Sequence, residues 1–83
     1  MARPRTYTHK RFVTRLRGLM ERDEVGTNEL IRLFGGAPNS WFYQGMTPRV
    51  ANLVDLAQFF GTTTDYLLGL TDRPRARANG RAR

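Results

Sequence analysis

Four uncharged hydrogen-bonding side chains fall within one short stretch of the sequence, PNSWFYQG, residues 38–45. Amide groups donate and accept hydrogen bonds, and hydroxyl groups do either, so such a set can select a partner without attracting it by charge. At 100° per residue the four lie within about 140° of one another on a helix, opposite the apolar residues of the stretch. The polar side consists of Asn39, Ser40, Tyr43 and Gln44. The pattern predicts a short amphipathic helix with Trp41 or Phe42 as its core anchor.

Residue types for covalent or metal chemistry are scarce. The 83 residues include no cysteine and one histidine, His9, so a thiolate nucleophile or a histidine-based zinc site is not expected. The acids Glu29, Asp55 and Asp65 are spaced as helix-surface or capping residues. We therefore expect no enzyme activity, no metal, no cofactor and no small-molecule ligand. His9 is interpreted as a surface side chain or a phosphate donor.

The positive charge is concentrated at the two ends of the chain. The net charge is +7, yet residues 18–72 hold three arginines against seven acids. Residues 1–17 carry six cationic side chains without an acid, and residues 73–83 carry five. Basic ends around a slightly acidic middle suggest electrostatic attraction to a polyanion, although basic tails often serve only solubility. No apolar run approaches the roughly 20 residues of a membrane helix, so a cytoplasmic, nucleoid-associated protein is expected.

Hydrophobic periodicity predicts helices in the first half of the chain. A helix over residues 8–23 begins at Thr8 as N-cap and is broken at Val25-Gly26. Thr27 is expected to cap a second helix, which Gly35-Gly36 ends. Pro38 suits the first turn of the third helix, and Gly45 ends it. The predicted buried positions of the first two helices are Phe12, Val13, Leu16, Leu19, Met20, Leu30, Ile31 and Phe34.

Two further helices are predicted before the basic tail. The fourth spans about 48–60, with Gly61 as C-cap and an apolar face of Val50, Leu53, Val54, Ala57 and Phe60. The threonines of 62–64 cap a short fifth helix that is closed by Gly69. Residues 73–83 contain no hydrophobic residue larger than alanine, so we expect a disordered tail. The predicted organisation is a basic arm over 1–7, one domain over 8–72 and the tail over 73–83.

This succession of short helices resembles the phage Cro and repressor (Xre-type) helix-turn-helix family. The resemblance is strongest over NLVDLAQFFGTTTDYLLGLTD, residues 52–72, which is similar to the fourth and fifth helices of that family. GMTP at 45–48 and LIRLFG at 30–35 add to it. Between Gly35 and Gly45 the chain is about two residues shorter than the family pattern. Phe42 corresponds to an aromatic residue of the family, and Tyr43 replaces the glutamate that commonly follows.

The resemblance implies a compact, all-α, five-helix lambda-repressor-like domain that binds double-stranded DNA as a transcriptional regulator. Its third helix would enter the major groove, where Asn39, Ser40, Tyr43 and Gln44 would read bases. Cationic side chains would contact phosphates or the minor groove. These are Arg3, Arg5, Lys10, Arg11, Arg15, Arg17, Arg49, Arg73, Arg75 and Arg77.

Several alternatives remain open at the level of sequence. The chain could act as a monomer or form a weak homodimer through helix five, around Tyr66, Leu67 and Leu70. The same fold could serve as an adaptor that binds a host protein, or as an architectural or recombination-directing DNA binder. The polar side of the third helix could also be an ordinary solvated surface.

Overall fold

The computed structural model describes residues 7–74, and their regular secondary structure is α-helical. No strand occurs within these residues, so the predicted fold class is confirmed at the level of secondary structure. The helices are α1 (His9–Asp23), α2 (Thr27–Phe34), α3 (Ala37–Tyr43), α4 (Val50–Phe60) and α5 (Thr64–Leu67).

The N-terminal ends of α1 and α5 are capped by threonine side chains, as predicted. The hydroxyl oxygen of Thr8 accepts a hydrogen bond from the Arg11 amide at 3.2 Å, and that of Thr63 accepts from the Tyr66 amide at 3.1 Å. Each bond satisfies one of the amides that a helix start leaves without a partner. α1 ends at Asp23, and the C-cap residue Glu24 adopts a left-handed conformation with φ of 58°.

The start of α2 differs from the expectation. Thr27 is the first helical residue, and Gly26 occupies the N-cap position without a side-chain hydrogen bond. Pro38 lies in the first turn of α3 as predicted, because that position needs no amide donor. Gly45 follows α3 with φ of 68°, a conformation that favours glycine.

The buried face of α4 also differs from the expectation. Val50 is 76% exposed and Val54 is 38% exposed, although the helical spacing predicts that both lie on the buried apolar face. Leu56 is fully buried and joins Ala57 and Phe60 in the core. The physical reason is that α4 carries two overlapping sets of apolar residues at helical spacing. Packing against the rest of the domain buries the set that lies nearer the C-terminal end of the helix.

The core is built around α1 and the single tryptophan. Trp41 is 2% exposed, and its ring meets those of Phe12 and Phe34 edge to face, with centroids 6.0 and 5.7 Å apart. Phe42, the other candidate anchor, is only half-buried. The remaining buried hydrophobic residues of the core are Leu16, Leu19, Met20, Leu30, Leu56, Ala57, Phe60 and Leu67.

The C-terminal end of α1 is tied to the end of α4 by Arg22. Its guanidinium donates to the carbonyl oxygen of Phe60 at 2.7 Å and to both carboxylate oxygens of Asp23 at 2.8 Å. These hydrogen bonds hold the pKa of Asp23 below its ordinary value. Arg22 thereby joins α1 to α4 near the C-terminal ends of both helices.

Candidate nucleic-acid interface

The outer side of α3 presents the uncharged polar group that the sequence predicts. Asn39, Tyr43 and Gln44 are exposed, Tyr43 by 71%, whereas Ser40 is half-buried. Trp41 points the opposite way into the core, so the helix cannot rotate without removing its anchor. The predicted separation of a polar and an apolar face is confirmed.

The end of α3 is closed by main-chain hydrogen bonds onto Ser40. Its carbonyl oxygen accepts from the amides of Gln44 and Met46, both at 3.1 Å. Gln44 is therefore fixed at the C-cap of α3, next to Gly45 in its left-handed conformation. This closure turns the chain away sharply, and it leaves the Gln44 side chain exposed beside Tyr43.

A second restraint on α3 comes from the first turn of α1. His9 Nε2 lies 2.7 Å from the carbonyl oxygen of Trp41, and because a carbonyl only accepts, the imidazole must carry a proton on Nε2. The hydroxyl of Tyr7 makes a longer contact of 3.5 Å with His9 Nδ1, and burial raises the pKa of Tyr7. The Nε2 proton of His9 is thus used inside the domain, and the interpretation of His9 as a phosphate donor stays a prediction.

Two arginines flank α3 on different sides. The Arg17 guanidinium carbon lies 4.3 Å from the centroid of the Phe42 ring, and Arg17 is exposed. Arg49, also exposed, lines an open groove of about 450 Å³ that Ser40 lines as well. The other residues of this groove are Ala37, Trp41, Met46, Thr47, Ala51 and Asn52. The uncharged face of α3 is thus bordered by one cation from α1 and one from the start of α4.

Arg15, one of the predicted phosphate ligands, makes its contacts within the domain. Its side chain is 19% exposed, and its guanidinium carbon lies 4.2 Å from the centroid of the Tyr66 ring. It donates to the carbonyl oxygen of Thr71 at 3.2 Å and to the carboxylate of Asp72 at 2.8 Å. Arg15 therefore links α1 to residues 66–72, and its role as a phosphate ligand stays a prediction.

The other cationic candidates divide into those that the structure describes and those that it does not. Lys10 and Arg11 are exposed on the first turns of α1, with the stem of Arg11 close to Gly69. Arg73 is exposed, and its amide donates to the Thr71 hydroxyl at 3.3 Å. The remaining predicted phosphate or minor-groove contacts lie outside the described residues; they are Arg3, Arg5, Arg75 and Arg77.

The surface of α5 offers little for the expected pairing. Leu67 is fully buried and Tyr66 lies under Arg15, so of the three residues only Leu70 is exposed. The assignment of Leu67 to a dimer contact is wrong, because its side chain belongs to the core. The sequence could not reveal this, since an apolar residue on a four-residue helix fits either a core or an interface.

Two general findings bear on the other sequence-based expectations. Over residues 7–74, no three histidine, cysteine, aspartate or glutamate side chains are grouped so that they could hold a metal ion. Within the same part of the chain, none of the helices has the length and apolar character needed to cross a membrane.

Comparison with known proteins yields no relative: no protein-family model, curated protein or solved structure matches the chain.

Proposed function

We propose that this protein binds DNA sequence-specifically and regulates transcription, with α3 inserted into the major groove. The observation that carries the proposal is the exposed face of Asn39, Tyr43 and Gln44 on a helix locked from behind by Trp41 and bordered by Arg17 and Arg49. Amide side chains form paired hydrogen bonds with adenine, and tyrosine can hydrogen-bond or contact the methyl group of thymine.

The dimensions of α3 suit this role. An α-helix with its side chains is about 10–12 Å across, and the major groove is about 12 Å wide, so a helix such as α3 can enter it. A reading helix needs a fixed orientation, because its side chains must meet base edges in one register. The Trp41 anchor and the His9 hydrogen bond to the main chain of α3 supply that orientation.

The arrangement of charge supports the same proposal. The polar face of α3 is uncharged, so it adds selectivity without general attraction, whereas Arg17, Arg49, Lys10 and Arg11 add attraction without selectivity. Arg3 and Arg5, which precede α1 in the sequence, would add to this attraction.

The experiment that tests the proposal is selection of bound sequences from a random pool of duplex DNA. Enrichment of one motif, followed by competition in which random DNA displaces the protein poorly, would support sequence-specific binding. Enrichment of no motif, together with equal affinity for random DNA and DNA bending, would favour the architectural alternative. If one motif is enriched, regulation of transcription is tested next by placing that motif in a promoter.

One observation favours a second candidate, an adaptor that binds another protein. Met46 is 56% exposed and Val50 is 76% exposed, and together with Tyr43 they place apolar surface at the end of α3 and the start of α4. Apolar contact residues of this kind are typical of protein interfaces. No DNA binding at low salt would favour the adaptor, because phosphate contacts are strongest there.

A further inference from the structure

We propose that Phe42 is a positioning residue, whose ring holds the Arg17 guanidinium beside α3 so that this guanidinium binds a backbone phosphate of the DNA. The inference rests on the proposed function and deepens it. It assigns a role to a half-buried aromatic that neither anchors the core nor belongs to the polar face.

The geometry supports an interaction between the ring and the cation. The Arg17 guanidinium carbon lies 4.3 Å from the Phe42 ring centroid, within the roughly 6 Å over which a cation is attracted to an aromatic face. An exposed arginine on a helix otherwise samples many rotamers. Contact with Phe42 restricts those rotamers and keeps the charge next to α3.

Stacking on a ring leaves the hydrogen-bonding capacity of the guanidinium intact. The group is planar and its N–H donors lie in the plane, so its face can contact Phe42 while its edge donates to a phosphate. Arg15 differs from Arg17 in this respect. It lies over the Tyr66 ring, but it donates hydrogen bonds to Thr71 and Asp72 within the domain. Two arginines of α1 thus hold the guanidinium carbon at nearly the same distance from an aromatic ring, one inside the domain and one at its surface.

The position of the stack gives it a consequence for recognition. The rings of Phe42 and Tyr43 have centroids 6.3 Å apart, so a phosphate bound by Arg17 would lie close to a residue of the polar face. Phosphate contacts fix the register of a reading helix on the duplex. Arg17 would therefore determine where along the groove Tyr43 and Gln44 are presented.

The test compares Arg17→Gln, Phe42→Leu and the double variant on the selected DNA site across a range of salt concentrations. Arg17→Gln should weaken binding roughly fivefold and reduce the log–log salt slope by about 0.9, the value for one phosphate contact. Phe42→Leu keeps an apolar side chain but removes the aromatic face, and it should weaken binding by a smaller factor with a reduced slope. Adding Arg17→Gln to Phe42→Leu should then cost less than it does in the natural sequence.

Arg32→Gln is the matched control, since it removes one exposed charge from the last turn of α2. It should change the salt slope less than Arg17→Gln does. The stack itself is tested in the free protein, where the Arg17 Nε proton signal should lie upfield and should return to its ordinary position in Phe42→Leu. Thermal unfolding establishes that each variant is folded.

Strictly additive effects of the two substitutions, or natural affinity and slope in Phe42→Leu, would overturn the inference while leaving the proposed function in place. An unchanged Arg17 signal in Phe42→Leu would also overturn it. If the natural protein bound no DNA at low salt, the proposed function would fail together with the inference.

Discussion

The imidazole of His9 donates a hydrogen bond to the carbonyl oxygen of Trp41, across 2.7 Å and 32 positions of sequence. One residue of α3 is therefore held twice, through its indole in the core and through its main chain by the first turn of α1. The same bond holds the first turn of α1 beside α3. A contact between residues far apart in sequence thus fixes α3 against α1.

Replacing His9 with leucine should destabilise the domain by about 1–2 kcal/mol, because the Trp41 carbonyl would lose its donor in a half-buried site. His9→Gln is the control, since its amide can still donate, and it should recover part of the loss. Urea unfolding followed by tryptophan fluorescence measures both. Equal stabilities of the leucine variant and the natural sequence would show that solvent replaces this hydrogen bond without cost.

Some features of the fold could be predicted because their causes are local. Thr8 and Thr63 cap the amides three residues ahead of them, and Pro38 occupies a first turn where no donor is needed. The exposed polar side of α3 followed from the spacing of residues within one helix. Each of these features depends only on residues that are close together in the sequence.

Features that depend on distant residues could not be predicted in the same way. Arg15 meets Asp72 across 57 positions, and nothing near Arg15 in sequence distinguishes it from Arg17. On α4, the sets that begin at Val50 and at Leu53 both have helical spacing, and only packing decides that Leu56 is buried. The hydrogen bond from His9 to a main-chain carbonyl leaves no side-chain pattern at all.

Two glycines should respond to alanine in opposite directions. Gly69 has φ of 78°, and an added Cβ would lie 2.7 Å from the Cδ atom of Arg11, so Gly69→Ala should cost about 1–2 kcal/mol. Gly18 lies within α1 with no atom near an added Cβ, so Gly18→Ala should stabilise the domain by about 0.5–1 kcal/mol. Urea unfolding of the pair checks this. Destabilisation by Gly18→Ala would contradict it.

The interior role of Arg15 predicts a loss of stability on its removal. Arg15→Met keeps an apolar stem over Tyr66 but removes the cation and the bond to Thr71, and it should cost about 1–2 kcal/mol. Asp72→Asn is the control that keeps Arg15 over Tyr66 and its bond to Thr71 but weakens the ion pair, and its effect should stay within about 1 kcal/mol. Both are measured by urea unfolding. A larger effect from Asp72→Asn than from Arg15→Met would mean that the ion pair, not the stack, makes the link.

The division between selectivity and attraction predicts how α3 variants behave on DNA. Asn39→Ala and Gln44→Ala should each weaken binding to the selected site by about 1–3 kcal/mol, because each removes an amide that can pair with a base. Binding to random DNA should change little, since neither side chain carries charge. Competition binding at fixed salt measures both affinities.

Gln58→Ala is the matched control for Gln44→Ala, because Gln58 is an exposed glutamine on α4 outside the groove and the polar face. It should leave both affinities unchanged if only the amides of α3 meet bases. Equal losses on selected and random DNA in the α3 variants would instead assign those side chains to the phosphate backbone. Selectivity would then have to arise elsewhere, since the cations beside α3 bind every sequence alike.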